Sequence, residues 1–189
     1  MKKASIFVAT FVLAAALFGL TACQTIQKSG GERADMSGYA TYDAGTDYVF
    51  VKSTIREMYD MVNRKETFVI YFGFAKCPWC RDLMPVLNEA ARKSRWSTVY
   101  YANTRENPEW KSNIDMDDYG LLVDMAFDYL DYDENGIKHL DAPTVYFVKD
   151  GVVKTAVFAP KYDAPKVTIP DDLRAKLMDD LLAAFKSLK

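Results

Sequence analysis

The sequence predicts an α/β domain in which a central mixed β-sheet is flanked by helices on both faces. Strand-like and helix-like segments alternate in the order β-α-β-α-β-α-β-β-α, a pattern that places strands side by side in one sheet with helices packed on it. Residues 68–74 form an unbroken apolar run, which is typical of a strand buried on both faces. Asp150-Gly151 is a two-residue hairpin signal, so the last two strands are expected to be antiparallel and the sheet mixed.

The first strand and helix are marked by a capping signal. A short β-type run at residues 48–51 comes first. Thr54 and Glu57 then make a capping box, in which each residue satisfies a backbone N–H of the other at the start of a helix. The predicted apolar face of this helix recurs at helical spacing and consists of Ile55, Met58, Tyr59 and Val62.

The second helix is predicted directly after the central run, over residues 78–94. Pro78 suits its first turn, where the N–H that proline lacks is not needed. Pro85 falls inside the helix and predicts a kink. Residues 98–102 are rich in β-type side chains and predict a third strand.

The second half of the domain contains two further helices around a hairpin. Residues 119–129 fit a helix with one apolar face. Residues 144–148 and 152–158 are the two strands that Asp150-Gly151 connects. A last helix is expected to begin at Pro170, and its apolar face consists of Leu173, Leu177, Leu181, Leu182 and Phe185.

The composition argues against two classes of protein, disordered chains and nucleic-acid-binding proteins. Hydrophobic residues make up 50% of the 189-residue chain, which excludes a disordered protein and suits one domain with a sizeable core. The formal net charge is -2 at pH 7 and no long basic run occurs, so nothing in the sequence predicts binding to nucleic acid.

The amino terminus predicts a targeting signal. Lys2 and Lys3 precede an apolar run, residues 6–20, that is short for a membrane-spanning helix. It ends in Leu20-Thr21-Ala22-Cys23, which resembles the lipobox of bacterial lipoproteins, where cleavage precedes a cysteine that receives lipid. This resemblance implies a signal peptide at residues 1–22 and a lipoprotein that carries palmitate on Cys23. A plain secretory signal and a signal anchor are the alternatives.

The expected domain organisation follows from that signal. Residues 23–45 are rich in small and polar residues without periodicity, and they predict a flexible tether that begins at the lipidated Cys23. A disordered end without this role is the alternative. Residues 46–189 are the predicted folded domain, which is expected to be extracytoplasmic and attached to a bacterial membrane through Cys23.

Cys77 and Cys80 stand two residues apart immediately after the central strand, with Pro78 and Trp79 between them. The pair can be a redox catalyst, part of a metal site or a structural disulfide. A disulfide across so short a loop adds little stability, which makes the structural role the weakest of the three. Outside the cytoplasm disulfides persist, and with Cys23 lipidated these are the two cysteines that remain of three.

A cysteine at the start of a helix favours the thiolate, because the first N–H groups and the helix dipole stabilise negative charge. We expect Cys77 in the first turn with its sulfur exposed, and Cys80 on the same side but deeper. Cys77 can then attack a substrate disulfide as the nucleophile, and Cys80 can resolve the mixed disulfide. Lys76 is expected to tune the pKa of Cys77 by its positive charge, although a solvated lysine is an equal alternative.

Three features in this order resemble the thioredoxin superfamily. They are the strand–CxxC–helix unit at residues 68–94, Pro85 five residues after Cys80, and Ala142-Pro143-Thr144 before a strand and hairpin. The resemblance covers roughly residues 48–189 and implies a thioredoxin fold and a thiol–disulfide oxidoreductase. Within the superfamily, YFGFAKCPWC and DAPTVYFVKDG look most like thioredoxin-like proteins of the bacteriocin-transport-accessory type.

The resemblance also implies the remaining site residues. Pro143 would follow a cis peptide bond and lie beside Cys77, where its turn keeps metal out of the dithiol site. The backbone of Ala142 would be free to pair with an extended substrate. Trp79, Ala142 and Thr144 would contact that substrate, with ordinary packing as the alternative for Trp79. The dithiol carries the electrons, so neither an organic cofactor nor a metal is expected.

The chain departs from thioredoxin at two places. The motif has proline first between its cysteines, which is nearer to the glutaredoxin and disulfide-isomerase-like spacers. Thioredoxins also carry a buried aspartate six residues before the first cysteine, and here that position is Tyr71. The usual proton acceptor for Cys80 is therefore missing, and a water or another carboxylate is left to serve.

Two other signals predict less. Residues 131–136 match the first half of a calcium-binding loop, but the glutamate required at loop position twelve would fall on Ala142, so an acidic turn is expected instead. His139 is the single histidine of the chain, which cannot complete a zinc set with two cysteines, and a solvated loop histidine is expected. Copper capture by the two thiolates stays open, because soft ligands suit that metal.

The sequence therefore leads to two hypotheses of different classes. The first is a lipid-anchored, monomeric thiol–disulfide oxidoreductase that acts on protein thiols and disulfides and is regenerated by a redox partner in the membrane. The second is a non-catalytic accessory or chaperone module for export or metal delivery, which uses the same groove to bind peptides. The direction of electron flow does not follow from the sequence.

Overall fold

The computed structural model describes residues 31–105, 114–164 and 168–189. Its helices are α1 Ile55–Asn63, α2 Pro78–Lys93, α3 Met116–Ala126 and α4 Asp171–Ser187, with a short 3-10 helix at Phe127–Tyr129. Its strands are β1 Phe50–Lys52, β2 Phe68–Gly73, β3 Val99–Asn103, β4 Asp131–Tyr132, β5 Lys138–His139, β6 Thr144–Lys149 and β7 Val152–Phe158. The predicted signal peptide, Cys23 and the start of the predicted tether lie outside the described residues. Within the described ranges, no helix is long and apolar enough to cross a bilayer.

Five strands form one mixed sheet in the order β1-β3-β2-β6-β7. Strand β3 is parallel to both of its neighbours, whereas β6 is antiparallel to β2 and to β7. The parallel half needs helical crossovers, which α1 and α2 supply, and the antiparallel half closes with the Asp150-Gly151 turn. This topology confirms the predicted α/β class and is that of the thioredoxin fold.

Central strand β2 separates two hydrophobic cores because its side chains alternate between the two faces of the sheet. Phe68, Ile70 and Phe72 pack on one face with α1 and α3. Val69 and Tyr71 pack on the other face with α2 and α4. The continuous apolar run in the sequence is explained by this double burial, which leaves no solvent-facing position along the strand.

Helix α1 begins with the predicted capping box. The Thr54 hydroxyl accepts the Glu57 N–H at 3.2 Å, and the Glu57 carboxylate accepts the Thr54 N–H at 2.8 Å. The apolar face differs in one detail, because Met61 is buried whereas the hydroxyl of Tyr59 donates at 2.7 Å to Asp124 on α3. Tyr59 can bury its ring edge and still reach a polar partner, so its spacing alone misidentified it as core.

The structure of residues 31–45 contradicts the prediction of a flexible tether that extends to residue 45. Met36 and Tyr39 are 2% and 3% exposed and belong to the core on the side of α2 and α4. Backbone hydrogen bonds also join this segment to the edge strand β1, from Lys52 to Glu32 at 2.8 Å and from Ala34 to Phe50 at 3.2 Å. Two apolar anchors in a polar stretch are too few to produce a periodic signal, which explains why the sequence did not reveal this packing.

The acidic stretch predicted as a turn forms a small hairpin of its own. Strands β4 and β5 pair between Asp131 and His139, and the connection turns at Gly136, which has a φ of 75°. The Asp133 carboxylate accepts the N–H groups of Asn135 and Ile137 at 2.9 and 2.8 Å. The Asp133 side chain thus adds to the backbone hydrogen bonds of the turn, which join Asp133 to Ile137 and Gly136. The strands are too short to be recognised from alternation.

Gly151 is a position where we expect a single methyl group to destabilise the fold. Its φ is 75°, and an added Cβ would lie 2.3 Å from the carbonyl oxygen of Val62. We expect Gly151→Ala to lower the free energy of unfolding by roughly 3 kcal/mol, from backbone strain together with overpacking. Denaturant unfolding measures this loss.

Gly136→Ala is the matched control, because Gly136 has the same φ of 75° but no atom within 4 Å of an added Cβ. Backbone strain alone is expected to cost about 1 kcal/mol there. Equal losses in the two variants would contradict the assigned role of the close contact with Val62.

Candidate active site

The two cysteines lie where β2 passes into α2. Cys77 is the N-cap residue of α2, and its Sγ accepts the N–H of Cys80 at 3.3 Å. Pro78 occupies the first turn as predicted, and Pro85 lies inside the helix. The sulfur of Cys77 thus takes the place that a serine or aspartate oxygen has at other helix starts.

Both cysteines are free thiols, and both are covered. The expectation of an exposed sulfur at Cys77 is corrected, because this residue is only 4% exposed. The turn at Ala142 lies over it, with the Ala142 carbonyl oxygen 3.7 Å from Cys77 Sγ. Cys80 is completely buried and therefore lies deeper than Cys77, as expected.

The surroundings of the two sulfurs shift their pKa values in opposite directions. A hydrogen bond from the Cys80 thiol lowers the pKa of Cys77. The N–H groups of Cys80 and Trp79 and the charge of Arg105 lower it as well, whereas partial burial opposes these effects. Burial raises the pKa of Cys80, and its hydrogen bond to Cys77 raises it further. The pair therefore holds its first negative charge on Cys77, as a nucleophile and a protonated partner require.

The cation that acts on Cys77 is one that sequence reasoning missed. Arg105 follows β3, and its guanidinium carbon lies 5.2 Å from the centre of the Phe74 ring, near the dithiol. Lys76 is exposed beside Cys77, and its role in tuning the pKa stays a prediction. No motif links position 105 to position 77, so only the packing of β3 beside β2 brings Arg105 to the site.

The turn before β6 has the shape that the resemblance implied. The Ala142–Pro143 peptide bond is cis, and this turn brings Ala142 against Cys77. Thr144 differs from expectation, because its side chain is fully buried and its hydroxyl donates to the carbonyl oxygen of Asp141. Its side chain holds the turn and does not face the surface.

A groove of about 580 Å³ runs beside the dithiol. Its lining is mixed: aromatic and apolar residues such as Trp79, Ala142, Pro143 and Phe158 lie beside the charged side chains of Asp128, Asp131, Asp141 and Lys161. The indole N–H of Trp79 donates to the Tyr162 carbonyl oxygen at 3.4 Å, which fixes the ring at the rim. Trp79 and Ala142 thus line one surface next to Cys77, as predicted substrate-binding residues must, while the binding itself stays a prediction.

Metal-binding groups do not gather around the dithiol in the described part of the chain. No cluster of three or more His, Cys, Asp or Glu side chains with metal-ligating geometry occurs among those residues. His139 lies in β5, and its Nε2 is 3.2 Å from the Asp141 carboxylate. Two thiols without further ligands do not form a closed zinc site, which needs about four.

No family model matches the sequence, and no curated protein is significantly similar to it. Oxidized thioredoxin O2 from Arabidopsis thaliana is 23% identical over 71% of this chain and 96% of that one, with a TM-score of 0.37. Thioredoxin NaTrxh from Nicotiana alata is 15% identical over 76% of this chain and 98% of that one, with a TM-score of 0.40. The strand order and connections of the sheet are those of the thioredoxin fold.

Proposed function

We propose that this protein is a thiol–disulfide oxidoreductase that acts on protein disulfides and dithiols through Cys77 and Cys80. The observation that carries the proposal is the asymmetry of the pair. One sulfur caps a helix and has a lowered pKa, while the other is buried and has a raised pKa. A structural disulfide or a symmetric metal site needs no such difference.

The proposed reaction proceeds in two exchanges. The Cys77 thiolate attacks one sulfur of a substrate disulfide, a Cys77–substrate disulfide forms, and the other substrate sulfur leaves with the electron pair and takes a proton. Cys80 then loses its proton and attacks Cys77 Sγ, and the second substrate thiol is released. The protein ends with a Cys77–Cys80 disulfide and the substrate with two thiols. A dithiol partner must reduce the protein again, and the same steps in reverse oxidise a substrate.

The groove beside Cys77 supports a protein substrate. Its size and its mixed lining, with the aromatic ring of Trp79 at the rim and charged side chains such as Asp141 and Lys161 beside it, suit a polypeptide segment that carries both apolar and polar groups. Ala142 lies at the cysteine and can offer its backbone to such a segment, as strands do when they add to an exposed edge.

The cellular setting belongs to the same proposal. The basic start, short apolar run and Leu20-Thr21-Ala22-Cys23 support a lipid-anchored, extracytoplasmic protein. A monomer whose dithiol is regenerated by a membrane redox partner completes the proposal. The resemblance to the bacteriocin-transport-accessory type rests on the segments around Cys77 and Pro143. Mass spectrometry of the protein from a bacterial membrane tests the anchor, which requires a lipid-modified Cys23 at the mature amino terminus.

A non-catalytic accessory module is the second candidate. The observation that favours it is the burial of Cys77. A groove that only binds peptides can work with this sulfur covered, whereas a nucleophilic sulfur must be reached by its substrate. In that case the groove carries the function and the thiols are incidental.

The reduction potential of the Cys77–Cys80 pair separates these candidates. The chain from Gln24 onward is equilibrated with glutathione or dithiothreitol, and free thiols are trapped and counted. A value of about −270 mV places the protein with reductants, and one of about −120 mV with oxidants. Failure to form a reversible disulfide over this range contradicts the catalytic proposal and favours the accessory module.

A further inference from the structure

Three tyrosine hydroxyls form a buried cluster behind Cys80. The hydroxyl of Tyr39 lies 3.3 Å from that of Tyr71 and donates to that of Tyr101 at 3.2 Å. The hydroxyl of Tyr71 donates to the backbone carbonyl oxygen of Cys80 at 3.3 Å. The cluster therefore ends at the cysteine that the proposed reaction needs to deprotonate.

The cluster is assembled from three separate parts of the chain. Tyr71 comes from β2, Tyr101 from the neighbouring β3, and Tyr39 from the segment that precedes β1. The rings of Tyr71 and Tyr101 stack with centres 5.4 Å apart. All three residues are buried, and the hydrogen bonds from Tyr39 to Tyr101 and from Tyr71 to the Cys80 carbonyl oxygen give these hydroxyls partners in a place where an unpaired polar group would be costly.

Gly73 makes the position of the Tyr71 hydroxyl possible. A Cβ at this residue would lie 2.5 Å from the Tyr71 hydroxyl oxygen and 2.6 Å from the ring carbon that carries it. The phenol thus lies along the strand over the glycine, toward the start of α2, and its hydroxyl reaches Cys80 because no side chain blocks the path.

The hydroxyls are donors and not bases. Burial raises the pKa of Tyr71 well above its ordinary value and raises that of Tyr39 in the same way. The titratable groups that act on the Cys80 thiol from the surrounding elements are Cys77 on α2, Tyr71 on β2 and Tyr39 on the preceding segment. A hydrogen bond from the Tyr71 side chain lowers the pKa of Cys80 against the larger effect of burial. The Tyr71 hydroxyl lies against the same residue, 3.3 Å from the Cys80 carbonyl oxygen.

We propose that Tyr71, held by Tyr39 and Tyr101, is a catalytic hydrogen-bond donor that stabilises the thiolate of Cys80 while this residue resolves the mixed disulfide. This inference rests on the proposed oxidoreductase function. In the dithiol form the hydroxyl donates to the Cys80 carbonyl oxygen. As the Cys80 thiol loses its proton, the hydroxyl turns to the sulfur and keeps its own proton.

The electrons and protons of this step balance without an added base. The Cys80 Sγ–Cys77 Sγ bond forms, and the bond between Cys77 Sγ and the substrate sulfur breaks. The electron pair leaves on the substrate sulfur, which takes up one proton while Cys80 gives up one to solvent or to that leaving group. The proposed role of Tyr71 is therefore to lower the energy of the buried Cys80 thiolate through a hydrogen bond. A carboxylate at this place would act differently, because it would accept the proton of Cys80.

Tyr71→Phe in the full chain tests the proposal. The reduced protein is mixed with dithiobis(nitrobenzoate), whose coloured thiolate is released once when Cys77 attacks and a second time when Cys80 resolves the adduct. Hydrogen bonds to charged groups are strong enough that we expect the second release to slow about tenfold or more at neutral pH. Its pH profile should move to higher pH, while the first release keeps its rate.

Two variants make the result decisive. Tyr146→Phe is the matched control, because Tyr146 is a fully buried tyrosine of the other core whose hydroxyl donates to Tyr129, and it should leave both releases unchanged. Tyr39→Phe removes the support of Tyr71 and should move the second release in the same direction by a smaller factor. If Tyr71→Phe does not fold, the second release in Tyr39→Phe decides whether the proposed role of Tyr71 stands.

The outcomes separate this inference from the proposed function. If the unaltered protein gives the first release but never the second, Cys80 does not resolve the adduct and the two-cysteine reaction fails together with the inference. If both releases occur and the pH profile of the second is the same in the unaltered protein and in the Tyr71 and Tyr39 variants, the oxidoreductase stands and the role of Tyr71 is overturned.

Discussion

Replacing Cys77 by serine is expected to abolish thiol–disulfide exchange, with a loss of about a thousandfold or more in the rate of substrate disulfide reduction. A serine hydroxyl is not ionised at neutral pH, and it cannot form a disulfide with the substrate. Cys80 does not substitute for it, because this residue is completely buried and its pKa is raised. The measurement is the reduction of a protein disulfide by Cys77→Ser and by the unaltered chain, followed by thiol counting.

Cys80→Ser is the matched variant, since it removes the other sulfur and leaves the nucleophile. It should attack substrate once and remain joined to it through Cys77, which a non-reducing gel detects. Alkylation of the unaltered protein should modify Cys77 first and rise with pH through a pKa below that of an ordinary thiol, because the pKa of Cys77 is lowered. Substrate trapped on Cys80, or undiminished exchange by Cys77→Ser, would exclude the assigned roles.

Removal of the segment before β1 is expected to be the largest change in stability. A chain that begins at Thr46 lacks Met36 and Tyr39, which are buried in the core beside Tyr71 and Phe50. Burial of two such side chains contributes about 3–6 kcal/mol, so the shorter chain should unfold at a much lower denaturant concentration than a chain that begins at Gly31. Chemical unfolding of the two chains measures the difference.

Tyr42→Ala in the longer chain is the control for this comparison. Tyr42 belongs to the same segment but is 39% exposed, so its loss should change stability much less. Equal unfolding midpoints for the chains that begin at Gly31 and Thr46 would show that the segment does not stabilise the domain.

The fold could be predicted from the sequence wherever one element carries its own signal. The unbroken run of β2, the Thr54–Glu57 capping box and the Asp150-Gly151 turn each specify a local structure, and together they restrict the topology. The packing of Met36 and the β4–β5 hairpin could not be predicted in this way. Met36 packs on residues far along the chain, and the two-residue strands of the hairpin are too short to form an alternating pattern.

The candidate site shows the same division. The CxxC spacing placed Cys77 and Cys80 at the start of a helix, and the proline motif placed Ala142 next to them. The sequence marked Tyr71 as a departure but could not show that its hydroxyl reaches Cys80. Arg105 had no signal, because its proximity to Cys77 results from the pairing of β3 with β2.

The pairing of the amino-terminal segment with β1 has a consequence for solubility. Strand β1 is an edge of the sheet, and an uncovered edge offers backbone N–H and C=O groups to any passing strand of another molecule. The hydrogen bonds from Lys52 to Glu32 and from Ala34 to Phe50 occupy those groups within the chain itself. The segment that leads toward the predicted anchor thus also covers this edge of the sheet against edge-to-edge aggregation, and we expect a truncated domain to be prone to self-association through β1.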